Sequence, residues 1–166
     1  MFWASLAIIF VGAAFRFLPH AWNFTPIGAI ALFAGATLAP WYLAVLTPLA
    51  AMAISDSLLG FNEWTPVVYA CMLLYVGLGR LIRHTTRPEQ ILGASVLGSV
   101  LFFLITNFVC WYAYYPPTID GLRSCYVAAV PFFRNTLLSD LFFSATLFGA
   151  MHLIQRQIPA YATVRR

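Results

Sequence analysis

The sequence predicts an all-α integral membrane protein, a bundle of about six transmembrane helices in a single domain that covers residues 1–166. Two observations predict it. Hydrophobic residues make up 62% of the chain and charged residues only 8%, whereas soluble domains carry roughly 25% charged residues. Apolar segments of roughly 20 residues, the length that crosses a bilayer, also recur along the whole chain, so one cleaved signal peptide cannot explain them.

The first three predicted spans cover residues 2–18, 25–39 and 41–59. The first ends at Pro19. The second is short and rich in glycine and alanine, which lets helices approach closely inside a bundle, and Pro40 ends it because proline breaks a helix. The third carries Asp56 near its end.

The last three predicted spans cover residues 65–82, 91–112 and 131–155. A short turn around Asn62 and Trp64 leads into the fourth. An arginine-containing loop, residues 80–90, separates the fourth from the fifth. A polar stretch between residues 112 and 131 is predicted to be the loop that joins the fifth span to the sixth.

The nine basic residues other than histidine are all arginines, and their placement indicates topology. Arginine in short loops marks the cytoplasmic side of a membrane. The loop from Arg80 to Arg87 and the C-terminal tail are separated by two spans and therefore lie on the same side. Six spans also place the N-terminus there, whereas a bent hairpin formed by the second and third segments would put it outside. We therefore interpret the net charge of +4 as topology and predict no binding to nucleic acid.

Length and motifs exclude several classes of function. The chain is too short to add a soluble catalytic or nucleotide-binding domain to its spans, and it contains no GxxxxGK[ST] motif, so it cannot couple ATP hydrolysis by itself. No CxxC or HxxxH spacing indicates a dedicated metal site. The expected cofactor content is therefore none of its own.

The remaining polar groups converge on the outer side of the predicted bundle. Arg16 and His20 fall at the outer end of the first span, and Asp56 falls at the outer end of the third. Asn107 lies in the outer half of the fifth span, and Asp140 in that of the sixth. Ionisable groups inside a membrane usually face a cavity or a partner. The residues predicted to bind a small-molecule substrate are Arg16, His20, Asn23, Asp56, Tyr75, Asn107, Asp120, Arg123, Arg134, Asn135 and Asp140.

Two structural alternatives stay open for these groups. On a helix with 100° per residue, the polar residues of the sixth span fall within about half of its circumference; they are Asn135, Thr136, Ser139, Asp140 and Ser144. This arc should face inward, either as a cavity wall or as a set of interhelical hydrogen bonds. Arg16 and Asp56 could in the same way simply neutralise one another.

The three cysteines admit different roles. Cys110 and Cys125 flank the predicted outer loop and could form a disulfide in an oxidising compartment. Cys71 could be a small buried hydrophobe. It could also be a soft metal ligand, with His20 as an imidazole donor, but only for a metal that arrives within the substrate.

Three stretches carry a resemblance to a known group of proteins. They read RFLPHAWNFTPIGAIALFAGA (16–36), PLAAMAISDSLLGF (48–61), and FFLITNF, YPPTIDGLRSCY and PFFRNTLLSD within 102–140. With these stretches the chain resembles the substrate-binding (S) components of energy-coupling-factor vitamin transporters. It is most similar to an uncharacterised family of small bacterial membrane proteins related to them.

The resemblance implies a six-helix fold in the bacterial cytoplasmic (inner) membrane, with both termini cytoplasmic and an outward pocket for a vitamin-type molecule. Many S components dock on a coupling membrane protein and two ATPases through an Ala-x-x-x-Ala pattern on helix 1. Here neither Ala4 nor Ala7 is followed by alanine four residues later. This departure favours a solitary transporter of the type associated with cobalamin, whose cobalt Cys71 or His20 could coordinate.

Two other classes of function compete with substrate binding. A membrane enzyme could use Asp56, Asp140 and His20 for acid–base chemistry or modify a ligand at Cys71, but no nucleophile–base spacing is recognisable and we expect no enzyme. A structural subunit of a larger membrane complex would use the same polar residues only to hold the bundle together.

Overall fold

The computed structural model describes residues 2–19, 21–83 and 85–157, and within them the chain is helical throughout. Six α-helices and one short 3-10 helix (Phe15–Phe17) account for the described secondary structure, which contains no strand. The helices are α1 (Phe2–Ala14), α2 (Ile27–Thr37), α3 (Trp41–Leu59), α4 (Thr65–Leu81), α5 (Pro88–Tyr114) and α6 (Ile119–Gln157). The predicted all-α class is confirmed.

Three of these helices are long and apolar enough to cross a membrane, namely α3, α5 and α6. The other three described helices are apolar but shorter. The structure thus supports membrane-protein character with three candidate spans, fewer than the six that the sequence predicts. The three shorter helices differ in why they fall short: α1 gives way to a 3-10 turn before Pro19, α2 ends at Thr37 ahead of Pro40, and α4 has only 17 residues.

Helix α6 starts earlier than predicted, and this corrects the loop expected between residues 112 and 131. The helix begins at Ile119, where the Thr118 hydroxyl accepts a hydrogen bond from the Gly121 N–H at 3.1 Å, as an N-cap does. Gly121, Cys125 and Ala129 are buried at a spacing of four residues, which is the repeat of a helix face. The charges of this segment lie on the opposite, exposed side and made it resemble a loop.

Helix α2 forms the centre of the bundle, although its 11 residues span only about 16 Å, roughly half of a bilayer core. All ten residues of 27–36 are buried, and α1, α3, α4, α5 and α6 pack around it. The backbones of α2 and α4 touch at Gly35 and Gly79, where any β-carbon would collide with the Val76 or Leu32 carbonyl oxygen. The predicted close approach through small residues is confirmed.

The two ends of α2 have different environments. At its C-terminal end, Arg80 of α4 donates hydrogen bonds to the carbonyls of Leu38 at 2.8 Å and Ala39 at 3.2 Å, so this arginine satisfies carbonyl groups that the end of a helix leaves free. The N-terminal end opens on a cavity, which is the candidate site.

Candidate functional site

Two adjoining cavities lie among the helices on the side where α2 begins. The larger, about 450 Å³ in volume and here called the polar cavity, has charged and hydroxyl groups among its lining, including Arg16, Asp56, Tyr69, Tyr75, Thr136 and Asp140. The smaller, about 370 Å³ and here called the aromatic cavity, is lined by groups such as Phe103, Asn107, Cys110, Cys125, Phe132 and Phe133. The two share the lining residues Asn23, Trp64, Phe102, Thr106 and Thr136, so they lie next to one another.

Arg16 and Asp56 form a largely buried ion pair in the wall of the polar cavity. An Arg16 guanidinium nitrogen lies 2.7 Å from Asp56 Oδ1, and the other terminal nitrogen donates to the Ser55 hydroxyl. The Tyr69 hydroxyl donates to Asp56 Oδ2 at 2.9 Å. The pair therefore ties the 3-10 helix after α1 to α3 and α4, which is the structural role. Both residues also line the cavity, while a role in binding substrate stays a prediction.

Asp140 lies at the base of the polar cavity, where four helices meet. Its carboxylate accepts hydrogen bonds from the Tyr75 hydroxyl of α4, from the Ser99 hydroxyl of α5 at 2.7 Å and from the Ala29 N–H of α2. Two glycines make room for this arrangement. A β-carbon at Gly28 would collide with the Asp140 carboxylate, and one at Gly98 would collide with the Tyr75 ring.

The polar arc of α6 faces inward, as its periodicity predicts, and its members divide between cavity and packing. Thr136 lines both cavities. Ser139 donates to the Thr25 carbonyl at 2.6 Å, and Ser144 bonds the Ser95 hydroxyl at 2.8 Å. Asn135, at the edge of the arc, donates to the Trp22 carbonyl at 2.9 Å and so holds the loop before α2.

Cys110 and Cys125 meet in the wall of the aromatic cavity as free thiols. The two thiols are hydrogen-bonded neighbours, and the Cys125 thiol also donates to the Asn107 carbonyl at 3.4 Å. The packing of α5 against α6 brings together Cys110 and Cys125, which flank most of the predicted loop. A disulfide between these two cysteines stays a prediction. The Asn107 side-chain amide donates to the Phe103 carbonyl of the same helix at 2.8 Å.

Several predicted site residues do not reach either cavity. Asp120, Arg123 and Arg134 are exposed on α6; Arg134 is six residues from Asp140, which places it about 120° away around the helix. Cys71 is buried in α4 and lines neither cavity. His20 lies outside the described residues. Within those residues, no group of three or more His, Cys, Asp or Glu side chains could hold a metal ion.

The sequence prediction missed several site residues, three of which have polar side chains with a defined role or position. Tyr69 supports Asp56, Ser99 supports Asp140, and Thr106 lines both cavities. A signal for two of them was present: Ser95, Ser99 and Thr106 lie within about 40° of one another on a helix, so α5 carries a polar stripe on an otherwise apolar helix. Tyr69 offered no such signal, because an interfacial tyrosine is common at the ends of membrane spans.

The polar cavity combines charged and aromatic groups in one lining. Both of its carboxylates have hydrogen-bond partners, so they lie at defined positions. Aromatic rings from Trp64, Tyr69 and Phe102 provide flat apolar surface in the same lining. Cavities of this size and mixed lining are typical of small-molecule sites.

Comparison with known proteins identifies a family but no activity. The family of unknown function DUF6580 matches residues 1–161. No curated protein gives a significant match, and no solved structure does so either. Since the match covers nearly the whole chain, this protein belongs to the DUF6580 family.

Proposed function

We propose that this protein is a membrane substrate-binding protein that takes up a vitamin-type small molecule through the polar and aromatic cavities. The observation that carries the proposal is the pair of adjoining cavities, whose lining includes carboxylates and aromatic rings from α3, α4, α5 and α6. A purely structural bundle gains nothing from leaving such a space, because protein interiors are otherwise packed to the density of organic crystals.

The proposal includes the topology that the resemblance to S components implies. All six helices cross the bacterial cytoplasmic membrane, both termini are cytoplasmic, and the cavities open outward. The short helix α2 is compatible with this arrangement because non-helical backbone at membrane depth is tolerated where protein surrounds it or where it lines a cavity. Residues 21–26, just before α2, meet this condition, since Asn23 and Thr25 line the polar cavity.

The size and lining of the cavities favour a compact ligand over cobalamin. Sites of about 450 Å³ hold drug-sized molecules. Cys71, the thiol expected to coordinate cobalt, lies outside both linings. We therefore propose a vitamin or related nutrient without a metal centre. Release toward the cytoplasm requires a rearrangement of the bundle, with or without a coupling partner.

Binding is tested with the full chain in lipid nanodiscs, by native mass spectrometry after purification and after addition of a panel of water-soluble vitamins. We expect one compound to bind. Thr106→Trp fills the space that both cavities share and should weaken its affinity at least about tenfold. Thr146→Trp is the matched control, because each threonine donates to the carbonyl four residues earlier at 2.8 Å, but Thr146 is exposed.

Two results would contradict the proposal. If no compound binds while both variants remain folded, the protein is better explained as a structural subunit of a membrane complex. If a compound binds and Thr106→Trp leaves its affinity unchanged, the ligand lies outside the cavities.

A further inference from the structure

The charges that line the polar cavity do not balance among the described residues. Three charged side chains line it: Arg16, Asp56 and Asp140. Arg16 and Asp56 neutralise one another across 2.7 Å. Asp140 is left without a basic partner in the described part of the chain.

The surroundings of Asp140 can hold an ionised carboxylate. Only 2% of the residue is exposed. The Ala29 N–H donates to the carboxylate, and the Tyr75 and Ser99 hydroxyls lie within hydrogen-bond distance of it. An ionised carboxylate only accepts hydrogen bonds, and this N–H and both hydroxyls can donate to it.

A buried anion in a membrane protein needs a positive charge near it, because removing a charge from water is strongly unfavourable unless it is paired. Arg16, the one basic side chain that the described lining contains, is already used by Asp56. None of the described residues supplies a second positive charge to this cavity. A cationic ligand would supply it.

The aromatic lining of the polar cavity suits such an occupant. Tyr75 contacts Asp140, and Tyr69, Trp64 and Phe102 line the same cavity. The face of an aromatic ring attracts cations, above all weakly hydrated organic ones. A cavity that holds both a carboxylate and aromatic rings favours quaternary ammonium groups over neutral molecules of the same shape.

We infer that the polar cavity binds an organic cation, with an ammonium or N-alkylated ring nitrogen held by Asp140 and by the aromatic rings that line the cavity. This inference rests on the proposed function and narrows its substrate class to positively charged, partly apolar nutrients.

The test compares probes that differ in charge but not in shape. Choline is paired with its neutral carbon isostere, 3,3-dimethylbutanol, and with the anion 3,3-dimethylbutyrate. Benzyltrimethylammonium serves as a larger cation. Binding to the full chain in nanodiscs is followed by tryptophan fluorescence, because Trp22 and Trp64 line the cavity. We expect at least one cation to bind, and choline to bind about tenfold or more tightly than its isostere.

Equal affinity for choline and its isostere, or no binding of either cation at millimolar concentration, overturns the inference. The proposed function fails separately, when no member of the vitamin panel binds. Suppose instead that a neutral or anionic vitamin binds and that Thr106→Trp weakens its affinity. The proposed function would then stand, and only the inference of a cationic ligand would be overturned.

Matched variants locate the charge. Asp140→Asn should reduce the preference for choline over its isostere to near unity, while Asp120→Asn, the same change at an exposed position of α6, should keep it. His20→Gln should also keep it; loss of the preference in that variant would overturn the assignment to Asp140. If Asp140→Asn does not fold, the comparison of probes on the wild-type chain still decides the inference.

Discussion

At the scale of single residues, the ion pair of Arg16 and Asp56 holds neighbouring elements together and also lines the polar cavity. The two side chains are largely buried from water. Their stability therefore depends on the contact between them and on the hydrogen bonds from Tyr69 to Asp56 and from Arg16 to Ser55. Both partners nevertheless face the polar cavity. A ligand that approaches them meets a wall whose charges are already compensated.

This compensation predicts an asymmetry between single and double substitution. Asp56→Leu leaves the Arg16 charge buried and unpaired and should destabilise the protein by about 3 kcal/mol. The double variant Arg16→Met/Asp56→Leu should lose less stability than Asp56→Leu, because no uncompensated charge remains. Thermal unfolding in nanodiscs measures both, with the exposed Asp120→Leu as a control that should stay within about 0.5 kcal/mol of wild type. A double variant less stable than Asp56→Leu would show that the pair stabilises by more than charge compensation.

At the scale of elements, α2 is the unit around which the others pack. Its two ends are bound by different chemistry: Arg80 satisfies carbonyl groups at one end, and Asp140 accepts from the Ala29 N–H at the other. A buried half-length helix needs such partners because its terminal backbone groups cannot reach water. The polar cavity lies beside the chain before α2 and is lined by residues of α3, α4, α5 and α6.

Two glycines of α4 allow a test of the close contact between the α4 and α2 backbones. Gly79→Ala would place a β-carbon against the backbone of α2 at the Leu32 carbonyl oxygen and should cost about 1–3 kcal/mol. Gly77→Ala, two residues earlier on the same helix, meets nothing within 4 Å and should be neutral or stabilising by up to about 1 kcal/mol. The thermal unfolding midpoints of the two variants measure the difference. Equal midpoints would mean that α2 and α4 are not in backbone contact.

At the scale of the whole molecule, the position of α5 in a bilayer decides which side the cavities face. Its 27 residues extend about 40 Å, enough to cross a hydrocarbon core of about 30 Å. The arginine-bearing residues 80–87 precede it, and the loop that joins it to α6 follows it. The proposed topology therefore places these two connections on opposite sides of the membrane.

Single cysteines introduced at Thr86 and Thr118 test this topology. Both positions are exposed in connections next to α5, and the native Cys71, Cys110 and Cys125 would be replaced by alanine. In intact cells a membrane-impermeant maleimide should label the cysteine at 118 and not the one at 86, and both should react after permeabilisation. Labelling of both in intact cells would contradict a membrane-crossing α5, and the reversed pattern would contradict the cytoplasmic C-terminus.

Local features of the chain predicted a large part of this architecture. The helical class follows from composition, and the inward polar arc of α6 follows from the 100° repeat of a helix, which needs no knowledge of neighbours. The same local reasoning was wrong for residues 119–130, where exposed charges concealed a helix, and it did not identify Tyr69 as the partner of Asp56. Burial of the opposite helix face depends on neighbours that are distant in sequence.

The sequence by itself determined that this is an apolar helical protein with polar groups concentrated near the start of α2. Only the tertiary structure decided which of those groups meet. Arg16 contacts Asp56 across a separation of 40 residues, and Tyr75 contacts Asp140 across a separation of 65. Arg134, on the same helix as Asp140, is exposed instead. The physical reason is that helix periodicity fixes the face on which a side chain lies, while the packing of helices around α2 fixes what that face contacts.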